Sequence, residues 1–160
     1  MGEKDQILQM LETHRRALRQ TLSDVTDEQA VARPTVSTLC LGGLLKHVTY
    51  AEKLWVDFIV DGKKEDDLDR YAASFRVEPG ESVANLLAAY EAAARRTDDV
   101  IAALPDLDVA HPLPEAPWYP PNTSWSARQV LLHILAETTQ HAGHADIIKE
   151  TLVKQTLVAA

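Results

Sequence analysis

Three histidines and one glutamate recur at helical spacing in the segment from Ser126 to Leu152. His133, Glu137 and His141 follow one another every four residues. His144 comes three residues after His141. Residues three or four apart share one face of a helix, so neighbouring members of this series can approach a common ion. Imidazole nitrogens and carboxylate oxygens bind divalent first-row metals, and the pattern therefore indicates metal chemistry on this helix.

Helical rise limits how many of these side chains one ion can take. His133 and His141 are about 12 Å apart along the helix axis, too far to share an ion easily. Three alternative pairs remain open: His133 with Glu137, Glu137 with His141, and His141 with His144. Whichever pair binds, a third ligand must come from another part of the chain.

His47 is the histidine on another predicted helix that borders an apolar face, one turn before Ala51 and two turns before Trp55. With Glu137 and His141 it would supply two neutral imidazoles and one carboxylate. That set suits Zn²⁺ and other first-row divalent ions and leaves a position open for water or substrate. The competing interpretation is a hydrogen-bonded core histidine and a chance Glu-x-x-x-His spacing, which is common in helices.

Four long amphipathic helices are predicted to position these residues. They cover Lys4 to Leu22, Ser37 or Thr38 to about Val60, Glu81 or Ser82 to Leu104, and Ser126 to Leu152. Thr26 to Val31 predicts a short capped turn of helix, and the residues after Leu152 are expected to fray. No strand pattern or internal repeat is found, so the fold class is all-α, a four-helix bundle.

Two connections of roughly eighteen residues follow the second and third helices and permit a crossover topology. Gly62 to Gly80 is rich in charge, and its Tyr71 and Phe75 are expected to dock on the core. Pro105 to Asn122 holds six of the eight prolines, together with Trp118. A loop of this length is either a functional cover that places Trp118 against a substrate or a simple surface crossover.

Three further positions receive structural interpretations. The charged residues of the first helix fall mostly off its apolar face, and His14, between Thr13 and Arg15, is expected to be solvated. His111, followed by a proline, is expected to be an exposed loop residue. The pair Gly42-Gly43 inside the second helix costs about 1 kcal/mol per glycine relative to alanine, which indicates close packing or a distortion near the site.

Composition limits the class of protein. The 160 residues are expected to form one domain over 1–160, and the net charge of −8 argues against nucleic acid and anionic membranes as partners. No run of 18 or more apolar residues is present, so no membrane span is predicted. The single cysteine, Cys40, excludes an internal disulfide and fits a reducing compartment. With no secretory signal recognised, the cytoplasm is the expected location.

Two stretches carry a resemblance to a known family: STLCLGGLLKHVTYAEKLW (Ser37–Trp55) and SWSARQVLLHILAETTQHAGHADIIKE (Ser124–Glu150). With four predicted helices, they resemble the DinB-like superfamily and most closely its DUF664 branch. That branch is similar to the mycothiol-dependent S-transferases and to the N-terminal domain of maleylpyruvate isomerase. The arrangement of helices covers the whole chain, whereas the specific motif covers only these two stretches.

The resemblance implies a crossed bundle topology with long crossover connections, a divalent metal and frequent homodimers. It implies His47, Glu137 and His141 as the metal ligands, with Zn²⁺ the first candidate and Ni²⁺, Fe²⁺ or Mn²⁺ as alternatives. Glu137 matches the mycothiol branch. His144 stands where many relatives have glutamine, so it is expected to support a ligand. His133, one turn before Glu137, is expected to orient that carboxylate.

The resemblance also implies a thiol S-transferase, in which the metal holds a low-molecular-weight thiol such as mycothiol as thiolate for attack on an electrophile. This chemistry needs no nucleophile from the protein, which fits a chain whose cysteine is expected to be structural. Two alternatives remain. The metal could activate water in a hydrolase, with His133 or His144 as base. The chain could also be a non-catalytic bundle that binds a small molecule or a partner.

Overall fold

A computed structural model describes residues 1–63 and 67–159 of the chain. Residues 64–66, within the predicted charged connection, and Ala160 lie outside the described residues. The described part contains six helices: α1 (Glu3–Leu22), α2 (Asp27–Val31), α3 (Leu41–Asp61), α4 (Leu68–Ala73), α5 (Val83–Ala103) and α6 (Ala127–Ala159). Two short strands, β1 (Ala110–Pro112) and β2 (Ser124–Ser126), lie between α5 and α6. The predicted all-α helical bundle is confirmed.

The helix boundaries differ from the predicted ones at two ends. Helix α3 begins after Cys40 and not after Ser37 or Thr38. The Ser37 hydroxyl instead accepts a local hydrogen bond from the Leu39 N–H, which keeps this segment out of the helix. Helix α6 continues to Ala159, so the expected fraying after Leu152 was wrong.

The packing of the long helices does not follow their order along the chain. Helix α6 packs on both α1 and α3, and α5 packs on α3 and, less extensively, on α1. The connections from α1 to α3 and from α5 to α6 therefore join diagonal corners of the bundle. The connection from α3 to α5 joins packed neighbours. Of the two long predicted connections, only the one between α5 and α6 is therefore a crossover. The other crossover is the connection from α1 to α3, which contains α2.

The small sheet corrects the expectation that strands are absent. Strand β1 pairs antiparallel with β2 in the register Ala110↔Ser126, His111↔Trp125 and Pro112↔Ser124. His111 is half-buried and not exposed, and its Nε2–H donates to the Ile59 carbonyl, 3.1 Å away, near the C-terminal end of α3. Gly62 ends α3 at a φ of 72°, and a Cβ there would lie 2.7 Å from His111 Nδ1. The start of α6 is therefore anchored to the end of α3.

The apolar core forms two clusters separated along the bundle axis by buried polar residues. One cluster includes Leu18, Val48 and Tyr90, and the other includes Leu11, Phe58 and Ile101. Between them, each of the four long helices contributes a buried polar side chain: Arg15, Glu52, Thr97 and Thr138. We call these four residues the polar layer. Arg15 is an exception to the prediction that the charged residues of α1 fall mostly off its apolar face, because it is fully buried.

The paired glycines of α3 allow another segment to lie directly on the helix. A Cβ at Gly43 would lie 2.1 Å from the Phe75 carbonyl oxygen, and one at Gly42 would lie 2.7 Å from Val77. The expected close packing at these glycines is therefore confirmed, but the partner is the segment after α4 and not a long helix.

Among the described helices, none combines the length and the apolar character that a membrane crossing requires.

Candidate metal and substrate site

The structure brings together three of the predicted site residues from two packed helices. His47 lies in the middle of α3, and Glu137 and His141 lie one turn apart on α6. One ligand atom from each residue lies within 4.8 Å of the others. His47 is fully buried, His141 is 8% exposed, and the Glu137 side chain is 25% exposed. The role of these side chains as metal ligands stays a prediction.

Hydrogen bonds fix the tautomer of His47. The Ser74 hydroxyl donates to the Tyr71 carbonyl at 2.6 Å, and its oxygen lies 2.8 Å from His47 Nδ1. Because a hydroxyl has one hydrogen, Ser74 must accept the hydrogen bond from Nδ1–H. A neutral His47 therefore carries its lone pair on Nε2. That nitrogen is buried, has no hydrogen-bond partner, and lies 3.5 Å from Glu137 Oε2.

The electrostatics of the cluster favour neutral imidazole beside ionised carboxylate. Burial lowers the pKa of His47 below its ordinary value. Glu137 Oε2 lies 3.6 Å from His141 Nε2 and 3.5 Å from His47 Nε2. The neighbouring imidazole rings, first that of His141 and then that of His47, hold the pKa of Glu137 well below its usual range. These are the protonation states in which both residue types bind a metal.

His133 and His144 lie beside the cluster on α6. His133 Nε2 is 4.0 Å from Glu137 Oε1, on the other oxygen of the carboxylate. His144 Nδ1 lies 3.3 Å from His141 Nδ1, so one of these two nitrogens donates to the other. If His141 is the donor, its lone pair faces Glu137 from Nε2. Both histidines therefore contact a predicted ligand, as expected, and neither His14 nor His111 belongs to a cluster of potential ligands in the described chain.

Aromatic side chains cover the buried end of the cluster. The Phe75 ring stacks on His47 at a centroid distance of 3.7 Å, and the Tyr71 ring meets His47 edge-on at 5.1 Å. The expected docking of Tyr71 and Phe75 on the core is thus observed, although Tyr71 remains 49% exposed. The cover closes one side of His47 to water and leaves Glu137 as the accessible side of the cluster.

A cavity of about 290 Å³ opens beside Glu137 and His133. Helix α3 supplies Trp55 to its wall, the region of α4 supplies Tyr71, and the proline-rich loop supplies Trp118. Of the two interpretations of the Pro105–Asn122 loop, the structure therefore supports a cover that places Trp118 beside the site.

The described residues fit a divalent metal ion. A tetrahedral ion with bonds of about 2.0–2.2 Å places its ligand atoms roughly 3.3–3.6 Å apart, close to the contacts that Glu137 makes with the two histidines. The buried lone pair of His47 Nε2 has no donor, which is unfavourable unless a proton or a cation lies there. Ser74 supplies the outer hydrogen bond that metal-binding histidines usually make.

Sequence reasoning missed Ser74, and it expected Phe75 to dock on the core without identifying His47 as its stacking partner. Both lie in the connection between α3 and α5, where no periodic pattern fixes which side chain faces α3. The one sequence feature that indicates this contact is the Gly42-Gly43 pair, because glycines inside a helix allow another backbone segment to lie against it. Gly43 lies four residues before His47.

Comparison with solved structures supports the fold. The crystal structure of a conserved protein from Enterococcus faecalis superimposes with a TM-score of 0.69 at 12% sequence identity, covering 96% of this chain and 99% of that one. A search of curated proteins finds no match. The family model for mycothiol-S-transferase matches residues 6–153, which include most of α1 and all four residues His47, Ser74, Glu137 and His141. The chain therefore belongs to the mycothiol S-transferase family of DinB-like proteins.

Proposed function

We propose that this protein is a metal-dependent thiol S-transferase that uses a low-molecular-weight thiol of the mycothiol type. The observation that carries the proposal is the convergence of acceptor atoms from His47, Glu137 and His141, with no hydrogen-bond donor facing His47 Nε2. A divalent ion bound by these residues would lower the pKa of a thiol and hold it as thiolate. Family membership supports mycothiol as the thiol.

The side chains around the cluster prepare it for this chemistry. Ser74 holds His47 with the Nε2 lone pair toward Glu137, and His144 contacts the rear nitrogen of His141. Phe75 excludes water from one face of His47, which strengthens electrostatic interactions there. The cavity beside Glu137 leaves room for a second substrate.

In the proposed reaction the thiol is the nucleophile, so the protein does not have to supply one. The thiol loses its proton to solvent or to a base, a carbon–sulfur bond forms, and the bond from carbon to the leaving group breaks, so that the leaving group departs as an anion. Cys40 is 3% exposed at the start of α3 and is not needed for this step.

Purified protein loaded with Zn²⁺, Ni²⁺, Fe²⁺ or Mn²⁺ should be incubated with mycothiol, bacillithiol or glutathione and a panel of electrophiles. We expect formation of a thioether product, seen by mass spectrometry, with mycothiol and with metal-loaded protein only. The variant His14→Ala is the matched control for His47→Ala. Absence of turnover with every thiol and metal would overturn the proposal.

A hydrolase is the second candidate, because His133 lies 4.0 Å from Glu137 and lines the cavity, where it could serve as base to a water molecule. A hydrolase acts without added thiol, so omission of the thiol from the same assay separates the two reactions.

Three sequence-based expectations remain proposals: one domain over 1–160, a homodimer and a cytoplasmic location. Light scattering on the purified protein tests the dimer, and limited proteolysis tests the single domain. A monomer at micromolar concentration would remove the dimer without affecting the proposed chemistry, since both helices that carry the cluster belong to one chain.

A further inference from the structure

We propose that the cavity beside Glu137 is the electrophile subsite and that it selects planar aromatic electrophiles that are uncharged or cationic. This inference rests on the proposed S-transferase function and adds the class of its second substrate. It is carried by the rings, the charges and the size of the cavity, and each of these gives a separate expectation.

The walls of the cavity are mainly aromatic. Its inner wall is Trp55, which stacks on Trp125 at a centroid distance of 4.9 Å and an interplanar angle of 18°. Its outer wall is Trp118 and Tyr71, which are 54% and 49% exposed. Exposed rings gathered around one cavity form an apolar surface that a bound ligand would cover. A flat aromatic ligand meets such faces by offset or edge-to-face contacts.

The side chains of fixed charge that line the cavity are acidic, and His133 beside them is charged only when protonated. Asp67 and Glu137 are its ionisable acidic groups, and no lysine or arginine is among the described residues that line it. Asp67 accepts hydrogen bonds from the backbone N–H groups of Asp69 and Arg70 at the start of α4, which fixes it at the rim. A metal held by the cluster would offset the charge of Glu137, so Asp67 is the group that would repel a carboxylate or phosphate on the electrophile. A cation would be attracted by Asp67 and by the ring faces.

The size of the cavity limits the ligand. At about 290 Å³ it lies at the lower end of small-molecule pockets, which span roughly 300–1,000 Å³. One or two fused rings fill it. Because Glu137 belongs both to the cavity wall and to the predicted ligand set, a ring in the cavity places its reacting carbon next to the activated thiol.

In the proposed step with an aryl chloride, the thiolate sulfur bonds to the ring carbon, the carbon–chlorine bond breaks, and chloride leaves with the electron pair. Neither an oxidant nor a reductant is required. The same subsite would serve an aromatic enone, in which the sulfur adds to the β carbon and the α carbon takes a proton from water.

Four probes test the selection with metal-loaded protein and mycothiol: uncharged chlorodinitrobenzene, its trimethylammonium analogue, a chloronitrobenzoate and aliphatic iodoacetamide. Each enzymatic kcat/KM is divided by the uncatalysed rate constant with the same thiol. We expect the uncharged and cationic aryl chlorides to exceed both the benzoate and iodoacetamide by at least tenfold. Equal ratios across the four probes would overturn the inference while leaving the S-transferase function intact.

Substitutions at Trp118 and Asp67 locate the selection. Trp118→Ala should lower kcat/KM for chlorodinitrobenzene about tenfold through KM and leave iodoacetamide unchanged, whereas Trp118→Phe should retain most of the activity. Asp67→Asn keeps the helix cap and should raise the benzoate relative to the uncharged probe. Leu157→Ala, at an exposed position near the end of α6, is the matched control. An unchanged probe ranking in Trp118→Ala would contradict the inference.

A binding measurement separates the inference from the proposed function. Dinitrobenzene lacks a leaving group and should quench the tryptophan fluorescence of metal-free and metal-loaded protein, less so in Trp118→Ala. Saturable quenching without turnover of any probe would support the aromatic subsite and overturn the S-transferase function. Turnover of aryl chlorides without saturable quenching, and with Trp118→Ala fully active, would support the S-transferase function and overturn the aromatic subsite.

Discussion

Two groups of buried polar residues in the same bundle satisfy their charges in opposite ways. In the polar layer, Arg15 donates to Glu52 and also to Asp98, 3.0 Å away, and the Thr97 hydroxyl donates to Glu52 at 2.5 Å. In the cluster of His47, Glu137 and His141, acceptor atoms face one another at 3.5 and 3.6 Å. A cation is built into the first group as a guanidinium. The second group offers acceptor atoms, and a divalent ion bound there would supply the positive charge.

The difference shows how a structural ion pair can be told from a binding site within one core. Burial alone does not distinguish them, because Arg15 and His47 are both fully buried. The two groups differ in their hydrogen-bond donors, because Arg15 faces Glu52 in the polar layer whereas no donor in the described part of the chain faces His47 Nε2. Removing a donor from the polar layer should therefore cost folding stability, whereas removing a ligand from the cluster should cost metal binding.

The largest expected effect is on the polar layer. Arg15→Met leaves the Glu52 carboxylate buried without its cation and should lower the free energy of unfolding by about 3–5 kcal/mol. Urea denaturation of metal-free protein measures it. The double variant Arg15→Met/Glu52→Leu should recover most of the loss, and folded Arg15→Met should keep its metal content. A loss below about 1 kcal/mol in the single variant would show that the pair is not a structural necessity.

Removal of a predicted ligand should abolish stabilisation by metal. At a free Zn²⁺ concentration 100 times the Kd, the wild type should gain about 2.7 kcal/mol of unfolding free energy, and His47→Ala or His141→Ala should gain almost none. Elemental analysis after dialysis should find metal in His14→Ala and His111→Ala but not in His47→Ala. Full stoichiometry in His47→Ala would mean that the ligand set is misassigned.

A smaller effect is expected from the hydrogen bond that orients His47. Ser74→Ala removes the acceptor for Nδ1–H and should weaken metal binding by about 10–100-fold without removing a ligand. Competition with a zinc chelator measures the affinity. Ser23→Ala is the control, because the exposed Ser23 hydroxyl donates to the Gln20 carbonyl at the C-terminal end of α1. Equal affinities in the two variants would remove Ser74 from the site.

The smallest expected effect is at His144. His144→Ala removes the partner of His141 Nδ1 and should weaken metal binding by about tenfold, at the low end for residues that support a ligand. In His144→Gln the amide oxygen can accept the same hydrogen bond, so the affinity should change less. A chelator titration that finds Gln worse than Ala would contradict this role.

Local sequence was sufficient for one half of the site and insufficient for the other. Glu137 and His141 share a helix, so their spacing alone predicts their proximity. His47 required an inference across the bundle and the family resemblance. The hydrogen bond of Ser74 and the stacking of Phe75 on His47 could not be predicted, because helical periodicity does not extend into the connection that carries them. The burial of Arg15 could not be predicted for a related reason, since its partner Glu52 lies 37 positions later in the chain.

The glycines of α3 have a consequence for how such a site changes over evolutionary time. A Cβ at Gly43 would lie only 2.1 Å from the Phe75 carbonyl oxygen, so even one methyl group would push Phe75 away from the helix. Ser74, which directly precedes Phe75, would move with it, and its hydrogen bond with His47 would weaken. Positions 42 and 43 are thus sites where a single substitution can retune the chemistry of the cluster while every candidate ligand remains unaltered.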